Sequence, residues 1–369
     1  MRARERIEAG IAQGLHAGAQ LYASRAGEPL VDLAIGEARA GIPMAPDALT
    51  LWMSSCKPIT AVAIAQLWQR GEVDLEAPVA DYIPEFAQGG KGAVRVRHVL
   101  THTAGFRATP FQYPRDDWQT SIAKLCAMPL EPGWVPGERA GYHVHSAWFI
   151  VGELVERISG TRLRDYLRRS VLEPSGMRDA WVGMPPARYT AVADRLSVML
   201  DTSVQPAKPL EWHTEAWVTG DRPSGNAYGP ARELGAFYEM LLRGGAGPHG
   251  ARVLERETVE LFTRRHRAGM TDRTFKAVLD WGLGFILDSK RHGEAQHPYG
   301  YGPHSSDATF GHSGYQSSTG FADPAHDLAV ALVFNGCPGD AAHQERVHAV
   351  LGALYEDLEL GPRPSGRWG

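Results

Sequence analysis

The sequence has 369 residues, of which 43% are hydrophobic and 22% are charged, and its formal net charge is −4. This composition is typical of a globular protein with an ample core, and a chain of this length usually divides into two packing units. The net charge and the lack of a lysine- or arginine-rich block argue against nucleic-acid binding. No apolar run is long enough to cross a bilayer, so we expect no membrane partner.

The N-terminal stretch MRARERIEAGIAQGLHAG predicts a helix, because its charges recur at helical spacing. It lacks the apolar centre of a signal peptide, and we therefore expect a cytoplasmic protein. The cysteines are odd in number and have no metal-type spacing, which fits a reducing compartment. They are Cys56, Cys126 and Cys337.

Two apolar stretches flank Ala26, Gly27, Glu28 and Pro29, and this pattern predicts a β-hairpin. The next stretch, LWMSSCKPITAVAIAQLWQRG, predicts an apolar helix that ends at Gly71. Beyond it, helical patterns alternate with Pro and Gly turns, and SAWFIVGELVERISG is the clearest of these helices.

The C-terminal part returns to strands. The segment GHSGYQSSTGFADPAHDLAVALVFNG predicts three strands with a turn at Asp323 and Pro324. The segment AAHQERVHAVLGALYEDLEL predicts a closing helix, and the tail GPRPSGRWG predicts disorder. Strands near both ends with helices between them predict an α+β fold.

The predicted helix after Leu51 begins with hydroxyls, a thiol and an amine. Ser54 and Lys57 lie three residues apart on one helical face, close enough for a nucleophile and its base. Helix capping by serine explains the same residues without chemistry. A second S-x-x-K, Ser121 to Lys124, occurs in a polar segment that we expect to be exposed, so the motif alone is weak.

Downstream segments add to this motif. In order after Ser54 and Lys57 come VRHVLTHTAGF, PGERAGYHVHSAWFIVGELVERISG, PSGNAYGPARELGAFYEMLLRGG and FGHSGYQSSTGFADP. Together they resemble the class C β-lactamase-like serine hydrolases, a family of β-lactamases, D-amino-acid peptidases, esterases and acyl transferases. The resemblance covers nearly the whole chain. It implies an antiparallel sheet flanked by helices, with a large helical insert.

The resemblance implies a division of the chain and a set of site residues. Residues 1–75 and 219–369 would form the sheet domain, residues 76–218 would form the insert, and the active site would lie in the cleft between them. Ser54 would be the nucleophile, Lys57 its base, and Tyr142 the tyrosine of the family's Y-x-N. The backbone N–H groups of Ser54 and Tyr315 would form the oxyanion hole. Substrate would contact His312, Ser313 and Gly314, which occupy the place of K-T-G.

The sequence departs from the family pattern at two places. Val144 stands where Y-x-N has its asparagine, and His312 replaces the commoner lysine, which weakens any fixed positive charge for a substrate carboxylate. His143 and His145 lie close to Tyr142 in the sequence, and we therefore expect them to line the cleft. An alternative middle motif is the S-x-N formed by Ser224 and Asn226.

Other hypotheses about the function explain less of the sequence. GHSGY misses the G-x-S-x-G elbow by its last residue. The spacings from His98 to His102 and from His143 to His145 resemble metal ligation but lack an H-E-x-x-H carboxylate, so we expect neither metal nor cofactor. Trp212 and Trp217 fit packing within the insert or the wall of an acyl pocket. A non-catalytic binding protein on this fold is a further alternative.

We predict serine-dependent acyl transfer through an acyl-enzyme on Ser54. The acyl donor is expected to be a small-molecule carboxylic ester. The acceptor is expected to be water, as in an esterase, or an amine or alcohol, as in a transacylase of antibiotic-type secondary metabolism. The alternative is a β-lactamase or a hydrolase of the D-amino-acid or D,D-peptidase type, and the oligomeric state is left open.

Overall fold

The computed structural model describes residues 1–293 and 300–361. All but the first residue of the tail GPRPSGRWG therefore lies outside the described residues. The strands are β1 (Gly18–Arg25), β2 (Glu28–Arg39), β3 (Ile42–Pro43), β4 (Thr50–Leu51), β5 (Trp181–Val182), β6 (Leu200–Asp201), β7 (Lys208–Pro209), β8 (Ala227–Gly229), β9 (Thr271–Asp272), β10 (Ala277–Val278), β11 (Ile286–Leu287), β12 (Phe310–Ser313), β13 (Ser318–Asp323), β14 (Leu328–Phe334) and β15 (Gly336–Cys337).

Helices surround these strands along the whole chain. They are α1 (Arg2–Ala12), α2 (Lys57–Gln69), α3 (Val96–Leu100), α4 (Trp118–Ala127), α5 (Ser146–Ser159), α6 (Leu163–Leu167), α7 (Pro186–Val192), α8 (Glu215–Val218), α9 (Ala231–Leu242), α10 (Arg256–Thr263) and α11 (Asp340–Asp357). Among the described residues, none of these helices combines the length and the apolar content needed to span a bilayer.

A seven-stranded sheet carries the fold, in the order β11-β12-β13-β14-β1-β2-β3, and each neighbouring pair is antiparallel. Its central contact pairs β1 with β14, so that Ala19 lies opposite Phe334 and Arg25 opposite Leu328. The predicted hairpin is confirmed, because β1 and β2 meet across Ala26 and Gly27 with Arg25 paired to Glu28. The α+β prediction is confirmed as well.

Both faces of the sheet are covered. Strand β14 shows why: all its residues are buried, and successive side chains alternate between two apolar clusters. Leu328, Val330 and Leu332 join the cluster that contains α1 and α11, whereas Ala331 and Val333 join the cluster that contains α2, α5 and α9. The strand therefore lacks the polar alternation of a half-exposed sheet.

The helices that matter for the site end as the sequence predicts. Helix α5 closes at Gly160, which is left-handed with φ 66° and donates to Glu156. Helix α2 closes just before Gly71, also at positive φ. The middle of the chain is not wholly helical, because β5, β6 and β7 lie there as two-residue strands. The division into a sheet domain and an insert stays a prediction.

Candidate active site

The segment that precedes α2 is a short 3₁₀ turn, Met53–Cys56, and Ser54 lies in it. Met53 has φ +46°, a left-handed backbone that residues other than glycine rarely adopt. Strain of this kind costs on the order of 1–3 kcal/mol and persists only where packing enforces it. Here the turn aims the partly exposed Ser54 hydroxyl out of an otherwise buried segment.

Lys57 is the first residue of α2, and its side chain is fully buried. Its Nζ donates to Ser54 Oγ over 2.7 Å and also donates to the carbonyl oxygen of Ser224. The Ser54 hydroxyl lies 3.3 Å from the same carbonyl. No carboxylate pairs with Lys57 among residues 1–293 and 300–361. The amine therefore has neutral partners in a dry environment.

This environment changes the protonation of the amine. Burial is the main cause that lowers the pKa of Lys57 from 10.5 to about 7. The neighbouring Cys56 acts in the opposite sense, and the charge of Arg222, a smaller influence than Cys56, lowers this pKa further. Near neutral pH a large fraction of Lys57 is therefore a free amine, which is the form that accepts a proton.

Tyr142 is held in place through its backbone. Its N–H donates to Asp272 Oδ1 over 3.0 Å, and its carbonyl accepts from the Thr274 hydroxyl over 2.9 Å. Asp272 is itself buried and paired with the buried Arg267 at 3.0 Å. An ion pair of this kind, once formed, is costly to break from one side, so it fixes the loop that carries Tyr142.

The phenol of Tyr142 lies beside the other two groups. Lys57 Nζ lies 5.3 Å from the centre of its ring, and Tyr142 and Ser54 line the same cavity. Burial raises the pKa of Tyr142 far above its ordinary value. Tyr142 is therefore a neutral phenol that can donate and relay a proton, and Lys57 is the stronger base.

Strands β12 and β13 are hydrogen-bonded directly to the segment that carries Ser54. Ser55 Oγ donates to the His312 carbonyl over 2.9 Å, and Ser318 Oγ donates to the Trp52 carbonyl over 2.5 Å. Gly314 follows β12, and a Cβ there would lie 2.3 Å from the Trp52 oxygen. Only glycine allows this close backbone approach.

Ser54 and Tyr315, the two residues of the predicted oxyanion pair, line the same cavity. Within the part of the chain that the structure describes, neither the Ser54 N–H nor the Tyr315 N–H donates to a protein acceptor. Free amide donors at a nucleophile are suited to a developing oxyanion. The geometry is consistent with the predicted oxyanion pair.

His312 is buried, and burial lowers its pKa to about 3, so the ring is neutral. Its Nδ1 lies 2.8 Å from the Ser313 carbonyl, which can only accept, so Nδ1 carries the hydrogen. The buried Nε2 then presents a lone pair and has no hydrogen-bond partner among the described residues. His312 therefore offers an acceptor and no positive charge.

A cavity of about 370 Å³ opens above Ser54. Its wall is largely apolar, and Asp340 is the one charged side chain among the lining residues that the structure describes. The lining comprises Ser54, Tyr142, Val144, Thr274, Phe275, Leu279, Ile286, His312, Ser313, Tyr315, Asp340 and Gln344. Val144 and Tyr315 are both exposed hydrophobic side chains at this site.

Two predicted cleft residues lie elsewhere. His143 is fully buried, and its Nε2 accepts from the Phe106 N–H over 3.2 Å. His145 turns to Ser224 Oγ at 2.9 Å and to Arg222 at 3.2 Å. The expectation that these histidines line the cleft does not fit their positions, because alternate residues around Tyr142 point into the core.

The two residues of the alternative S-x-N motif, Ser224 and Asn226, contact different parts of the structure. Ser224 supplies its carbonyl to Lys57 and turns its hydroxyl toward His145. The Asn226 amide donates to the carbonyls of Trp217 and Gly220 over 2.9 and 2.8 Å, and so holds a loop. The nucleophile and its base meet Tyr142 and the Ser224 backbone, whereas the side chain of Asn226 lies apart from them.

The remaining candidates take up packing roles. Ser121 is buried rather than exposed, because it faces the core side of α4, and Lys124 pairs with Asp116 at 2.6 Å. Trp212 and Trp217 stack on each other and are absent from the described cavity lining. The histidines whose spacing resembles metal ligation have other partners: His98 Nδ1 and His102 Nδ1 accept hydrogen bonds from backbone N–H groups.

Several lining residues have no sequence signal. Phe275, Leu279 and Ile286 come from separate short segments, and neither period nor motif marks them. Asp340 resembles an ordinary first-turn helix acid. Gln316 links it to the site, because the Gln316 amide donates to Asp340 Oδ1 over 3.1 Å.

The assembled groups can carry out acyl transfer. A serine hydroxyl with a neutral amine at 2.7 Å can lose its proton as it attacks a carbonyl. The free N–H pair can stabilise the negative oxygen that results, and the Tyr142 phenol can pass a proton to a leaving group. These steps need only groups that the site contains.

Comparison with known proteins gives a consistent result. Residues 3–354 match the protein family described as Beta-lactamase. The chain is 29% identical to Esterase/beta-lactamase LipL of Mycobacterium tuberculosis, over 84% of this chain and 75% of LipL. It is 30% identical to Esterase EstB of Burkholderia gladioli, over 86% of each chain. A penicillin-binding protein homologue from Caulobacter crescentus superposes with TM-score 0.79 at 30% identity, covering 94% of this chain and 95% of the homologue.

The pKa of Lys57 predicts the pH dependence of nucleophile reactivity. We expect the rate of fluorophosphonate labelling at Ser54 to rise with pH through an apparent pKa of about 7. Below that pH Lys57 is protonated and cannot accept the serine proton, so reactivity falls on the acid side. Labelling of Lys57→Ala should be orders of magnitude slower, and its rate should no longer rise with pH along the acid limb of the profile. A rate that does not change between about pH 5 and pH 9 would exclude Lys57 as the base.

The hydrogen bond from Ser55 to β12 predicts that this serine affects catalysis without touching substrate. Ser55→Ala should lower kcat about tenfold or more, because the donors of the oxyanion hole lose their spacing. The control is Ser197→Ala, which removes another buried hydroxyl that donates, over 3.0 Å, to the Ala38 carbonyl. Equal kcat values for the two variants in a steady-state assay would contradict a positioning role for Ser55.

Proposed function

Because the chain belongs to the Beta-lactamase family and is a serine hydrolase of that fold, we propose that it is an esterase that works through an acyl-enzyme on Ser54. The observation that carries the proposal is the 2.7 Å contact between a buried amine and the Ser54 hydroxyl, beneath an apolar cavity that lacks a cationic lining residue among those described. The name of EstB, an esterase, supports the same choice, and the name of LipL gives both esterase and β-lactamase.

In the acylation step, neutral Lys57 accepts the proton of Ser54 as Oγ attacks the ester carbonyl. The carbonyl oxygen takes the negative charge and lies against the N–H groups of Ser54 and Tyr315. When the carbon–oxygen bond to the leaving alcohol breaks, Lys57 returns the proton through Tyr142 to the alkoxide. The products of this half are free alcohol and acyl-Ser54, and Lys57 is neutral again.

Deacylation repeats these steps with an incoming nucleophile. Lys57 and Tyr142 take a proton from water, or from an amine or alcohol, as it attacks the acyl carbon. The Ser54 oxygen leaves and recovers the proton. Water gives the free acid, whereas an amine gives an amide and an alcohol gives a new ester.

The cavity favours neutral esters over amides and β-lactams. Val144 supplies no hydrogen bond at the position where the family pattern has an asparagine. An amide group left unpaired in a dry cleft loses about 1–3 kcal/mol, roughly tenfold to a hundredfold in rate. The neutral His312 supplies no cation for the carboxylate of a β-lactam. A neutral ester is affected by neither loss.

The charge of Asp340 adds a preference against anions. Its carboxylate lies on the cavity wall, held by Gln316, whose Oε1 accepts from the Gly339 N–H over 2.7 Å. A substrate carboxylate in the cavity would face this negative charge with no opposing lining cation in the described part of the chain. Neutral and positively charged esters are the substrate class that fits.

We extend the proposal to acyl transfer onto amines and alcohols. The support is the apolar wall at Val144, which is poorly suited to ordering an attacking water. A role in antibiotic-type secondary metabolism stays a prediction. The proposed compartment is the cytoplasm, and the three free cysteines, all buried as thiols, are compatible with it.

The decisive test compares two substrates on one protein. We expect turnover of a p-nitrophenyl ester to exceed that of nitrocefin by about a hundredfold or more, for the hydrogen-bond and charge reasons above. Ser54→Ala should abolish turnover and fluorophosphonate labelling, whereas the matched control Ser121→Ala should retain both. Retained labelling of Ser54→Ala would refute the nucleophile. Nitrocefin turnover equal to that of the ester would establish the β-lactamase alternative, and a protein that neither labels nor turns over substrate would be a binding protein.

A second prediction concerns charge. Asp340→Asn should raise kcat/KM for an ester with a free carboxylate about threefold to tenfold and lower it for one with an ammonium group, as expected of a partly screened charge. A neutral ester should be unaffected. The control is Glu345→Gln, an exposed residue farther along α11 that does not line the cavity. Identical charge preferences in Asp340→Asn and the parent protein would refute this role.

A further inference from the structure

Arg222 is a buried cation that the acyl-transfer chemistry above does not use. Its side chain is 9% exposed, and no carboxylate pairs with it within residues 1–293 and 300–361. The guanidinium lies between two aromatic rings, 4.9 Å from the centre of Tyr113 and 4.8 Å from that of Trp217. Burying an unpaired charge is costly, and stacking on two rings offsets only part of that cost.

The same guanidinium is linked to the base by a continuous chain of contacts. Arg222 Nη2 lies 3.2 Å from His145 Nε2, and an arginine can only donate, so Nε2 is the acceptor. His145 is then a neutral ring with its hydrogen on Nδ1, which lies 2.9 Å from Ser224 Oγ. Burial and the nearby charge of Arg222 both lower the pKa of His145, which keeps the ring neutral.

The last link of the chain reaches the reacting groups. Ser224 is buried, and its carbonyl accepts from Lys57 Nζ and faces the Ser54 hydroxyl at 3.3 Å. Arg222 thus holds the residue whose backbone orients both the base and the nucleophile. It also places a permanent positive charge behind that base.

We propose that Arg222 is a positioning residue for Lys57: its charge disfavours a second positive charge on the amine, and its bond to His145 fixes the Ser224 carbonyl that orients the amine. The proposal rests on the proposed function, because it assigns Lys57 the role of base. It adds a residue outside the cavity to the groups that determine when Ser54 is reactive.

Other groups around Lys57 cannot replace this charge. The histidines near the amine are buried and neutral, Tyr142 is a neutral phenol, and burial raises the pKa of the Cys56 thiol to about 11. Arg222 is the one permanent cation that acts on Lys57 among the described residues. The titratable groups that face Lys57 are Cys56, His102, Tyr142, His145, His312 and Arg222.

The test measures the pH dependence of fluorophosphonate labelling at Ser54 in four proteins. In Arg222→Gln the acid limb should move upward, because loss of the cation makes Lys57 easier to protonate. Labelling below neutral pH should fall at least about twofold, whereas the plateau at high pH changes less. The control is Arg346→Gln, which removes another buried arginine, one that lies 4.2 Å from the ring centre of Phe334 and does not influence the pKa of Lys57, and it should leave the limb near its parental position. His145→Gln removes a ring that is already neutral, so the limb should stay in place while the plateau falls.

The outcomes distinguish a failure of the proposed function from a failure of the role proposed for Arg222. If the parent protein does not label at Ser54, the proposed function fails. If the parent labels and the limb is the same in Arg222→Gln, or moves equally in Arg346→Gln, the role of Arg222 is refuted. Should Arg222→Gln fail to fold, Arg222→Met replaces it as the neutral variant with a similar apolar stem. The difference between the limb of the neutral variant and that of the parent protein then decides the question.

Discussion

The burial of Lys57 without a carboxylate partner is the constraint on which the candidate site depends. A buried ammonium normally needs an opposite charge, and here the described surroundings offer a hydroxyl, a carbonyl and aromatic rings. The amine therefore loses its proton near neutral pH. A base of this kind at 2.7 Å makes Ser54 reactive without the histidine and carboxylate of other serine enzymes.

Other features maintain that arrangement. The left-handed backbone at Met53 turns the Ser54 hydroxyl outward, and Gly314 lets the end of β12 approach the same turn closely. The buried pair of Arg267 and Asp272 fixes the loop of Tyr142. Strain, close backbone approach and buried charge are each unfavourable locally, and packing on both faces of the sheet offsets them.

Local signals in the sequence were enough for the hairpin and the main helices, whereas the reacting groups needed the family resemblance as well, because the S-x-x-K spacing alone is weak. The hairpin at Ala26 and Gly27 and the end of α5 at Gly160 follow from turn and cap chemistry, and the spacing of Ser54 and Lys57 from helical geometry. Those signals do not predict where a side chain points outside a regular element. The expectation that His143 and His145 line the cleft therefore did not match their positions. Long-range assembly was beyond those signals too: Asp340 and the apolar wall meet Ser54 only through the fold.

The most direct test of the account is a titration of Lys57 itself. Protein labelled with ¹³C at the lysine ε-carbon gives one resonance per lysine, and the resonance missing from Lys57→Arg identifies this side chain. We predict that the chemical shift of the Lys57 ε-carbon titrates with a pKa of about 7. A Lys57 that stays protonated up to its ordinary value, 10.5, would contradict the assignment of Lys57 as the base and the mechanism built on it.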